Sequence, residues 1–320
     1  MAEIRPRRLG AGDADALIRF IAAHNQPGPQ HCLHLAGTEA GVRADFDKSR
    51  IDVAAGFAVV DAAGPAAGSD ADAPATWRGA AGVECDAEQC WLHGPWAAST
   101  DPQAAGAEGK ADAGAPSVRR AVLAAALQQA GVRRVHAFCD QRAEPVIAEL
   151  EAAGFRRHRE VHVMRAGRGA RGRAERAVRA DVSIGDAGRD DVAAIAALHD
   201  IAFPGTWIDG AGMVEQAQRL GRMLVAHGPD GVLQGSLCLT FNTELPEGDV
   251  EFVAVQPAAR GAGVGRALLQ AALRAAFDDA ARTAVNLCVN DANLNALHLY
   301  ESCGFERIYT GIALTRPAPV

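Results

Sequence analysis

The sequence lacks the long apolar runs that membrane-spanning segments need. Its longest apolar runs, such as Ala121–Leu127, fall far short of the roughly 18 residues of a membrane span. The N-terminal stretch carries Glu3, Asp13 and Asp15, whereas a secretory signal requires an unbroken apolar segment. We therefore expect neither a membrane partner nor export.

Paired cysteines are also lacking. The seven cysteines are scattered, their number is odd and no C-x-x-C pair occurs, so the sequence predicts neither a disulfide framework nor a zinc knuckle. The segment His31-Cys32-x-His34 contains metal-ligand residue types, but no second pair stands at zinc spacing. We interpret it as a polar loop or a helix end. No metal is expected, and the cysteine usage favours a cytoplasmic location.

The composition is that of a globular protein with an acidic C-terminal half. The 320 residues are 49% hydrophobic and 22% charged, which suits two domains of about 150 residues each. The net charge is −7; from residue 181 onward there are 17 acidic and 9 basic residues, whereas residues 166–180 hold five arginines and one glutamate. An acidic half favours a cationic small substrate over nucleic acid.

The two halves of the sequence resemble each other at an offset of 150 residues. In each half a predicted strand is followed by a short helix and by a Gly-Phe pair, in which the glycine suits the left-handed position after a helix. The matched segments are 131–140, 143–153 and 154–155 in the first half, and 283–290, 294–303 and 304–305 in the second. Helical patterns also open both halves, at Asp13–His24 and Asp190–Ala202.

This repetition predicts two copies of one α+β unit. We place the first unit at residues 1–165 and the second at residues 181–320. The Arg/Gly-rich segment 166–180 between them has no apolar periodicity and predicts a solvated linker. Two low-complexity stretches, Ala62–Ala75 and Ala97–Ser117, predict loops.

A strand, a glycine turn and a helix follow one another in the second half. Alternation along Asp249–Val255 predicts that Glu251, Val253 and Val255 share one face. After the turn, an apolar stripe predicts a helix to about Arg282. The glycines permit left-handed backbone angles and close approach of a ligand, and the first N–H groups of the helix attract an anion. The expected guest is a phosphate or a diphosphate.

Two common phosphate-binding motifs fit this segment poorly. The nucleotide P-loop ends in Gly-Lys-Ser/Thr, whereas here Gly265 is followed by Arg266 and Ala267. The dinucleotide fingerprint comes directly after a strand and needs an acidic residue about 20 positions on, at the end of a second strand. Here five residues separate the strand from the turn, and Asp278 and Asp279 fall within the predicted helix.

The run Arg260-Gly-Ala-Gly-Val-Gly265 resembles the acyl-CoA loop of the GNAT superfamily of N-acyltransferases. Downstream, Asn293, Ala296, Leu299-Tyr300 and Gly304-Phe305 stand at the intervals of that family's closing signature. The resemblance covers most of the second half and extends to the first half in outline. It implies a three-layer α+β fold of two GNAT-like domains, each a mixed, mostly antiparallel, splayed sheet flanked by helices.

The resemblance further implies an N-acetyltransferase that moves an acetyl group from acetyl-CoA directly to a primary amine. In this family the strand before the loop splays from its neighbour, the pantetheine pairs with that strand, and the diphosphate lies on the loop. Tyr300 matches the position that donates a proton to the departing thiolate; a packing aromatic is the alternative. Asn293 either contacts the pantetheine or caps its helix. The implied cosubstrate-binding residues are Val253, Ala254, Val255, Arg260, Gly261, Ala262, Gly263, Val264, Gly265, Arg266 and Asn293.

The acceptor amine must lose a proton before it reacts, because an alkyl ammonium with a pKa of roughly 10 is almost wholly protonated at neutral pH. Glu251 is the candidate base, directly or through water, since it shares the predicted face of the pantetheine strand; an exposed strand carboxylate is the alternative. Candidate acceptor-site residues are Phe203, Trp207 and Asn242, and the two aromatic side chains are core candidates as well. His199 and His298 are interpreted as structural.

The first half departs from the family pattern. It has no Arg-Gly-x-Gly-x-Gly run ahead of its helix, and Leu150 and Ala143 stand where the second half has Tyr300 and Asn293. Leucine has no proton to donate. We therefore expect the first half to keep the fold without binding CoA productively, and the second half alone to be competent.

Several functions stay open at this point. The tandem arrangement resembles acyltransferases of thiol biosynthesis, which favours a small-molecule amine; acetylation of a protein lysine or N-terminus is the alternative. A non-catalytic module that senses acyl-CoA or binds a partner is the alternative of another class. The Arg-rich segment has no aromatic residue to stack bases, so no nucleic-acid partner is expected. The chain is expected to be a monomer or a homodimer.

Overall fold

The fold comes from a computed structural model that describes residues 4–26, 30–32, 35–49, 51–61, 77–98, 114–173, 181–242 and 245–318. The chain divides into two units, one of residues 1–160 with 310–320 and one of residues 161–309. Among the helices in these ranges, none is long and apolar enough to cross a membrane.

The first unit follows an order of helices, antiparallel strands, a long helix and a parallel strand. Its sheet has the order β1-β2-β3-β4-β5-β12, in which β4 and β5 are parallel and the other neighbours antiparallel. The strands are β1 (Arg7–Arg8), β2 (Phe57–Asp61), β3 (Trp77–Cys85), β4 (Gln89–Ala97), β5 (Arg134–Asp140) and the end of β12 (Glu306–Arg316). The helices are α1 (Ala14–His24), α2 (Glu39–Ser49), α3 (Val53–Gly56), α4 (Ala115–Ala130) and α5 (Glu144–Ala152).

The second unit repeats this order. Its sheet has the order β6-β11-β10-β9-β8-β7, in which β10 and β11 are parallel and the other neighbours antiparallel. The strands are β6 (Arg156–Gly167, from residue 161), β7 (Ser183–Asp186), β8 (Gly221–His227), β9 (Leu233–Phe241), β10 (Glu247–Val255) and β11 (Ala284–Asn290). The helices are α6 (Ala170–Arg173), α7 (Val192–Ala202), α8 (Gly210–Leu220), α9 (Val264–Asp278) and α10 (Leu294–Ser302).

The sheet of the second unit separates two apolar layers. On one face α9 buries its predicted stripe, including Leu268, Leu273 and Phe277, against β8, β9 and β10. On the other face α7 and α8 pack their apolar residues against the same strands. Because each buried Leu or Phe side chain contributes roughly 1.5–3 kcal/mol, these layers hold β10 and α9 in place. The predicted helix is confirmed, although it ends at Asp278 rather than at Arg282.

The unit boundaries differ from the predicted domains at 1–165 and 181–320. Residues 161–167 of β6 pair with β11, and residues 311–316 of β12 pair with β5. Each sheet therefore receives a strand from the other half of the sequence. Backbone hydrogen bonds between residues far apart in sequence decide this pairing, so periodicity along the chain does not reveal it.

The segment predicted as a solvated linker is partly ordered structure in the second unit. Residues up to Gly167 belong to β6, and Ala170–Arg173 form α6. The guanidinium of Arg168 donates to the backbone oxygens of Phe277, Asp279, Ala280 and Arg282 at 2.7–3.3 Å. The last carbonyls of a helix lack intrahelical donors and carry negative partial charge. Arg168 therefore caps the C-terminal end of α9 with hydrogen bonds. The prediction of a solvated linker is wrong for residues 166–173.

The cysteine prediction is also corrected. Cys85 and Cys90 form a disulfide, because they lie opposite each other on β3 and β4. Of the predicted loops, Ala62–Ala75 and residues 99–113 lie outside the described residues, and Ala115–Ser117 instead begin α4. His31 and Cys32 are buried in the first unit, where Cys32 forms an isolated bridge to Cys139, and His34 lies outside the described residues.

Candidate active site

Two parallel strands of the second unit part to form a wedge. β10 and β11 pair from Glu247 with Ala284 as far as Val250 with Leu287. From Phe252 to Val255, β10 pairs with β9 on its other side. We call the gap between 251–255 and 288–290 the second-unit wedge. One wall of it carries the backbone of Val253–Val255, so the splay that the resemblance implies is present at these residues.

A β-bulge lies at Glu251, where the wedge opens. The register with β9 shifts between Val250, opposite Leu239, and Phe252, opposite Cys238. A bulge inserts one residue and changes which face the following side chains occupy. Val250 accordingly packs on the α9 side with Val253, whereas Phe252 packs on the α7–α8 side.

The bulge overturns the predicted face of Glu251. Its Oε1 accepts a hydrogen bond of 2.8 Å from the Thr240 hydroxyl. Thr240 lies two residues from Cys238, which packs on the α7–α8 side, and side chains two residues apart share a face. Glu251 therefore shares the face of Phe252 and not that of Val253 and Val255. Simple alternation fails here because it assumes an unbroken ladder.

An aromatic cluster lies on the same face as Glu251. Its members are His199, Phe203, Trp207 and Phe252. The ring of Phe252 lies 5.0 Å from that of Phe203, 6.1 Å from that of Trp207 and 4.6 Å from that of His199, centroid to centroid. The Trp207 side chain is 48% exposed, so it forms the outer edge of the cluster.

Three side-chain contacts hold the segment that carries Phe203 and Trp207. The His199 ring nitrogen Nε2 lies 3.1 Å from the backbone oxygen of Ile208. The Asp200 carboxylate accepts from the backbone N–H of Gly210 at 2.7 Å, and Asp209 caps α8 through Gly212. The structural interpretation of His199 is thus supported, because its ring ties α7 to this segment. His298 is exposed on α10.

Asn242 is placed away from the aromatic cluster's contacts. Its backbone N–H donates to Glu247, and its side-chain oxygen accepts from the N–H of Leu245 at 2.7 Å. These bonds close the turn between β9 and β10. Residues 243 and 244, which follow Asn242, lie outside the described residues.

The glycine turn has the backbone geometry that its sequence predicts. Gly261 and Gly263 have φ angles of 80° and 91°, and Gly263 is the N-cap of α9. The turn from Arg260 to Ala262 is exposed. A Cβ added at Gly265 would lie 3.2 Å from a Leu299 methyl and 3.6 Å from a Val255 methyl. The start of α9 is therefore packed between the end of β10 and α10.

Tyr300 and Asn293 lie on α10, which adjoins this turn. Tyr300 packs against the α9-side core, and its ring lies 6.0 Å from that of Phe305. Burial raises the pKa of Tyr300 to about 12, with Cys303 as a second contribution. Asn293 is the N-cap of α10, and its side-chain oxygen accepts from the N–H of Ala296 at 3.2 Å. Helix capping by Asn293 is thus observed, and its NH₂ group retains two donors.

The first unit forms a corresponding wedge, but its own chain fills it. β4 and β5 pair as far as Trp91 with His136. Beyond that point, Cys32 bridges to Cys139, and the N–H of Asp140 donates to the oxygen of His31. The Gln30 amide makes two hydrogen bonds to the backbone N–H and oxygen of Ala97, of 2.7 and 3.0 Å. Residues 30–32 therefore bond to the backbone at the ends of β4 and β5, which correspond to the splayed ends of β10 and β11.

The positions that match Tyr300 and Asn293 are apolar and buried in the first unit. Leu150 and Ala143 each have a relative exposure of 0%, and Ala143 is the N-cap of α5 without a side-chain cap. The residues matched by sequence offset therefore also occupy matching positions in the fold: Ala143 and Asn293 are the N-caps of α5 and α10, and Leu150 and Tyr300 lie within these helices.

Sequence reasoning missed two residues of this site. Thr240 ends a buried strand and Phe252 follows Glu251, and neither belongs to a motif. The available signal was that Cys238, Thr240 and Asn242 alternate on one face of the strand next to β10.

Solved structures define the class of this fold. A tandem GNAT protein from the clavulanic acid biosynthesis pathway superimposes with a TM-score of 0.69 at 17% identity, over 99% of each chain. A GCN5-related N-acetyltransferase from Sphaerobacter thermophilus gives 0.67 at 18% identity, over 100% of this chain and 98% of that one. The predicted fold class is confirmed: two GNAT-like domains, each a splayed, mostly antiparallel mixed sheet with flanking helices.

The sequence comparisons agree with this fold. Residues 192–305 match the model of the acetyltransferase (GNAT) family, a range that contains the second-unit wedge, the glycine turn and Tyr300. The C-terminal region of the chain is therefore similar to the GNAT family of acetyltransferases.

Two relatives share part of the sequence. The mycothiol acetyltransferase of Kineococcus radiotolerans is 34% identical over 206 residues, which are 60% of this chain and 65% of that protein. The mycothiol acetyltransferase of Gordonia bronchialis is 40% identical over 92 residues, 29% of each chain. The chain spans less than two thirds of the length of these relatives.

Proposed function

We propose that the protein is an acetyl-CoA-dependent N-acetyltransferase and that its second unit carries the reaction. One observation carries the proposal: the end of β10, the glycine turn and α10 converge at Gly265, whose added Cβ would meet both Val255 and Leu299. The end of β10, the start of α9 and the helix that carries Tyr300 therefore lie beside the same wedge. We propose that the start of α9 binds an anion there.

The turn fits the diphosphate of acetyl-CoA. The first N–H groups of α9 lack intrahelical acceptors, and the helix dipole favours an anion at this end. An added Cβ at Gly261 would meet no atom within 4 Å, so the surroundings are open. Arg260 and Arg266 add positive charge beside the turn, and Arg260 is held there through a 3.2 Å bond to the oxygen of Val255.

The wall of the wedge fits the pantetheine arm, which carries amide groups. We assign the backbone of Val253, Ala254 and Val255 to this arm, and the NH₂ group of Asn293 to its far side. When bound, acetyl-CoA supplies an activated acetyl group as a thioester. The protein's part is to hold this group beside Glu251 and Tyr300.

Glu251 acts as the base that takes the proton of the acceptor ammonium, directly or through water. The bulge directs its carboxylate toward the face that bears the aromatic cluster. A base on that face is separated from the α9 side, where Val253 and Val255 pack. The amine and the cosubstrate can therefore approach from different directions.

Tyr300 acts as the proton donor to the sulfur that leaves. A pKa of about 12 keeps its hydroxyl protonated throughout the neutral range. An ordinary thiol has a pKa of roughly 8.5, so transfer to sulfur is uphill unless burial also disfavours the thiolate. Tyr300 therefore donates a hydrogen bond first, and the proton follows as sulfur departs.

A small-molecule amine is the favoured acceptor. The relatives with shared sequence are named for mycothiol acetylation, and the acidic second half favours a cationic substrate. Phe203 and Trp207 line the acceptor side beside Phe252, and we assign Asn242, which follows β9, to the same side. A protein lysine or N-terminus is the alternative acceptor. We propose a cytoplasmic location, although the Cys85–Cys90 disulfide removes the cysteine argument for it.

We propose that the first unit binds no CoA. In the described residues the backbone of Ala97 and Asp140, at the ends of β4 and β5, bonds to Gln30 and His31. A cosubstrate would have to displace these bonds. Pro95 in β4 has no N–H to offer, and Leu150 has no proton to donate.

The direct test is release of free thiol from acetyl-CoA in the presence of candidate amines. The panel includes polyamines, aminoglycosides, amino acids, amino sugars linked to thiols, and lysine peptides. We expect thiol release with a small amine and not with peptides. The negative control is the variant Gly261→Glu. Its added carboxylate repels the diphosphate of acetyl-CoA, so this variant should show no turnover. If calorimetry detects no binding of acetyl-CoA by the unmodified protein, the proposed function is wrong; binding without turnover on any amine supports a non-catalytic module.

A further inference from the structure

Thr240 is a buried polar residue that no motif contains. Its side chain is 2% exposed, and its hydroxyl donates to Oε1 of Glu251 at 2.8 Å. We propose that Thr240 is the positioning residue for the base: it holds one carboxylate oxygen so that the acceptor proton is taken at a fixed place. This inference rests on the proposed role of Glu251.

The backbone of Thr240 is held on both sides. It stands opposite Gly221 on β8 and Asp249 on β10. A Cβ added at Gly221 would lie 2.7 Å from the Thr240 Cα and 2.0 Å from the backbone oxygen of Leu239. Because β8 approaches so closely, the threonine has little room to shift. Its hydroxyl is therefore a fixed reference point for the glutamate.

Glu251 itself needs such a reference because it is the bulge residue. A bulged residue is left out of the regular ladder, so pairing with β9 does not set its direction as it does for its neighbours. A glutamate side chain also has three rotatable bonds, and holding it in one direction costs conformational entropy. The hydrogen bond from the Thr240 hydroxyl sets the direction of the Glu251 side chain, which pairing with β9 does not set.

The chemistry of the pair leaves the base competent. A carboxylate has two oxygens with about four acceptor positions, and a hydroxyl donor uses one of them. The carboxylate form of glutamate is the form that accepts a proton. A threonine cannot compete for that proton, since its hydroxyl remains protonated. Thr240 thus orients Glu251 without replacing it.

The test compares Thr240→Val, which removes the hydroxyl at similar size, with Thr240→Ser, which keeps it. We expect kcat/KM for the amine to fall about 10- to 100-fold in Thr240→Val, the factor that a hydrogen bond to a charged group corresponds to. Thr240→Ser should retain most of the activity. The loss in Thr240→Val should fall on kcat, and acetyl-CoA affinity should stay within about threefold in both variants. The matched control is Ser236→Ala, a buried hydroxyl on the same strand, which should leave the rate unchanged.

A double-mutant cycle separates positioning from a purely structural role. With Glu251→Gln as the second change, Thr240→Val should add little to the loss, since an oriented base no longer exists. If the two losses multiply, or if Thr240→Ser is as slow as Thr240→Val, Thr240 is structural and the inference is overturned. If Glu251→Gln itself is as fast as the unmodified protein, the assignment of the base is wrong, which is a distinct failure.

Discussion

At the scale of single residues, the candidate site depends on groups whose environments differ. Burial raises the pKa of Tyr300 to about 12, which suits a group that must hold its proton until the sulfur leaves. Glu251 is only half-buried and is hydrogen-bonded to Thr240, which suits a group that must be charged. An acid and a base with separate environments can act at the same pH.

Replacing Tyr300 with phenylalanine tests the first of these assignments. We expect kcat to fall about 100- to 10,000-fold, the usual range for a general acid, which corresponds to about 3–5 kcal/mol of barrier. The Kd of acetyl-CoA should change by less than about threefold, because the ring still packs against Phe305. Steady-state kinetics and calorimetry check the two quantities. An unchanged kcat would remove the assigned role.

The raised pKa of Tyr300 also predicts a pH dependence. The folded protein holds this proton up to a pKa of about 12, above the ordinary value of about 10. Loss of the acid therefore begins only as pH approaches 12, and Tyr300 should cause no decline in kcat below about pH 10. A tyrosine-dependent fall centred at pH 8–9, absent in Tyr300→Phe, would contradict this environment.

At the scale of elements, both ends of α9 are occupied by groups that suit the helix dipole. Arg168 donates to the carbonyls at its C-terminal end, and the glycine turn prepares the N-terminal end for an anion. Two residues with positive φ, Gly261 and Gly263, give this turn its shape. Both ends of α9 are therefore held in defined positions.

Replacing Gly261 with alanine tests whether the shape of the turn governs binding. A residue with a Cβ loses about 1–2 kcal/mol at positive φ, and no neighbour within 4 Å adds a steric cost. We expect acetyl-CoA to bind at least tenfold more weakly as the turn relaxes. The matched control is Gly131→Ala after α4, where φ is 63° and the surroundings are equally open. It should lower the free energy of unfolding similarly without changing acetyl-CoA affinity.

At the scale of the whole chain, two units of one fold differ in what their wedges hold. In the second unit the wedge adjoins the glycine turn, and in the first residues 30–32 fill it. The segment between α1 and α2 of the first unit runs from Asn25 to Thr38, whereas its counterpart between α7 and α8 has seven residues, from Phe203 to Asp209. The longer segment has enough length to reach its own wedge.

This difference predicts one acetyl-CoA site per chain. Native mass spectrometry and calorimetry should give a stoichiometry of about one, and Gly261→Glu in the second unit should abolish binding rather than halve it. Two molecules of comparable affinity, with one retained in Gly261→Glu, would show that the first-unit wedge opens to a ligand.

Much of this molecule follows from short-range patterns. The glycine turn, the amphipathic stripe of α9 and the Gly-Phe ends of both repeats are set by residues within a few positions of one another, and all were predictable. The placement of Tyr300 beside the turn also followed, through resemblance to a family with the same spacing.

Sequence by itself determined the repeated α+β order, the glycine turn, and the presence of Leu150 and Ala143 where the second unit has Tyr300 and Asn293, because each depends on local backbone preference or on residue identity. Only tertiary structure decided the face of Glu251, its bond to Thr240, the strands that each sheet receives from the other half, and the filling of the first wedge by residues 30–32. These features depend on hydrogen bonds between segments distant in the chain. A single-residue bulge is enough to reverse the face that alternation predicts.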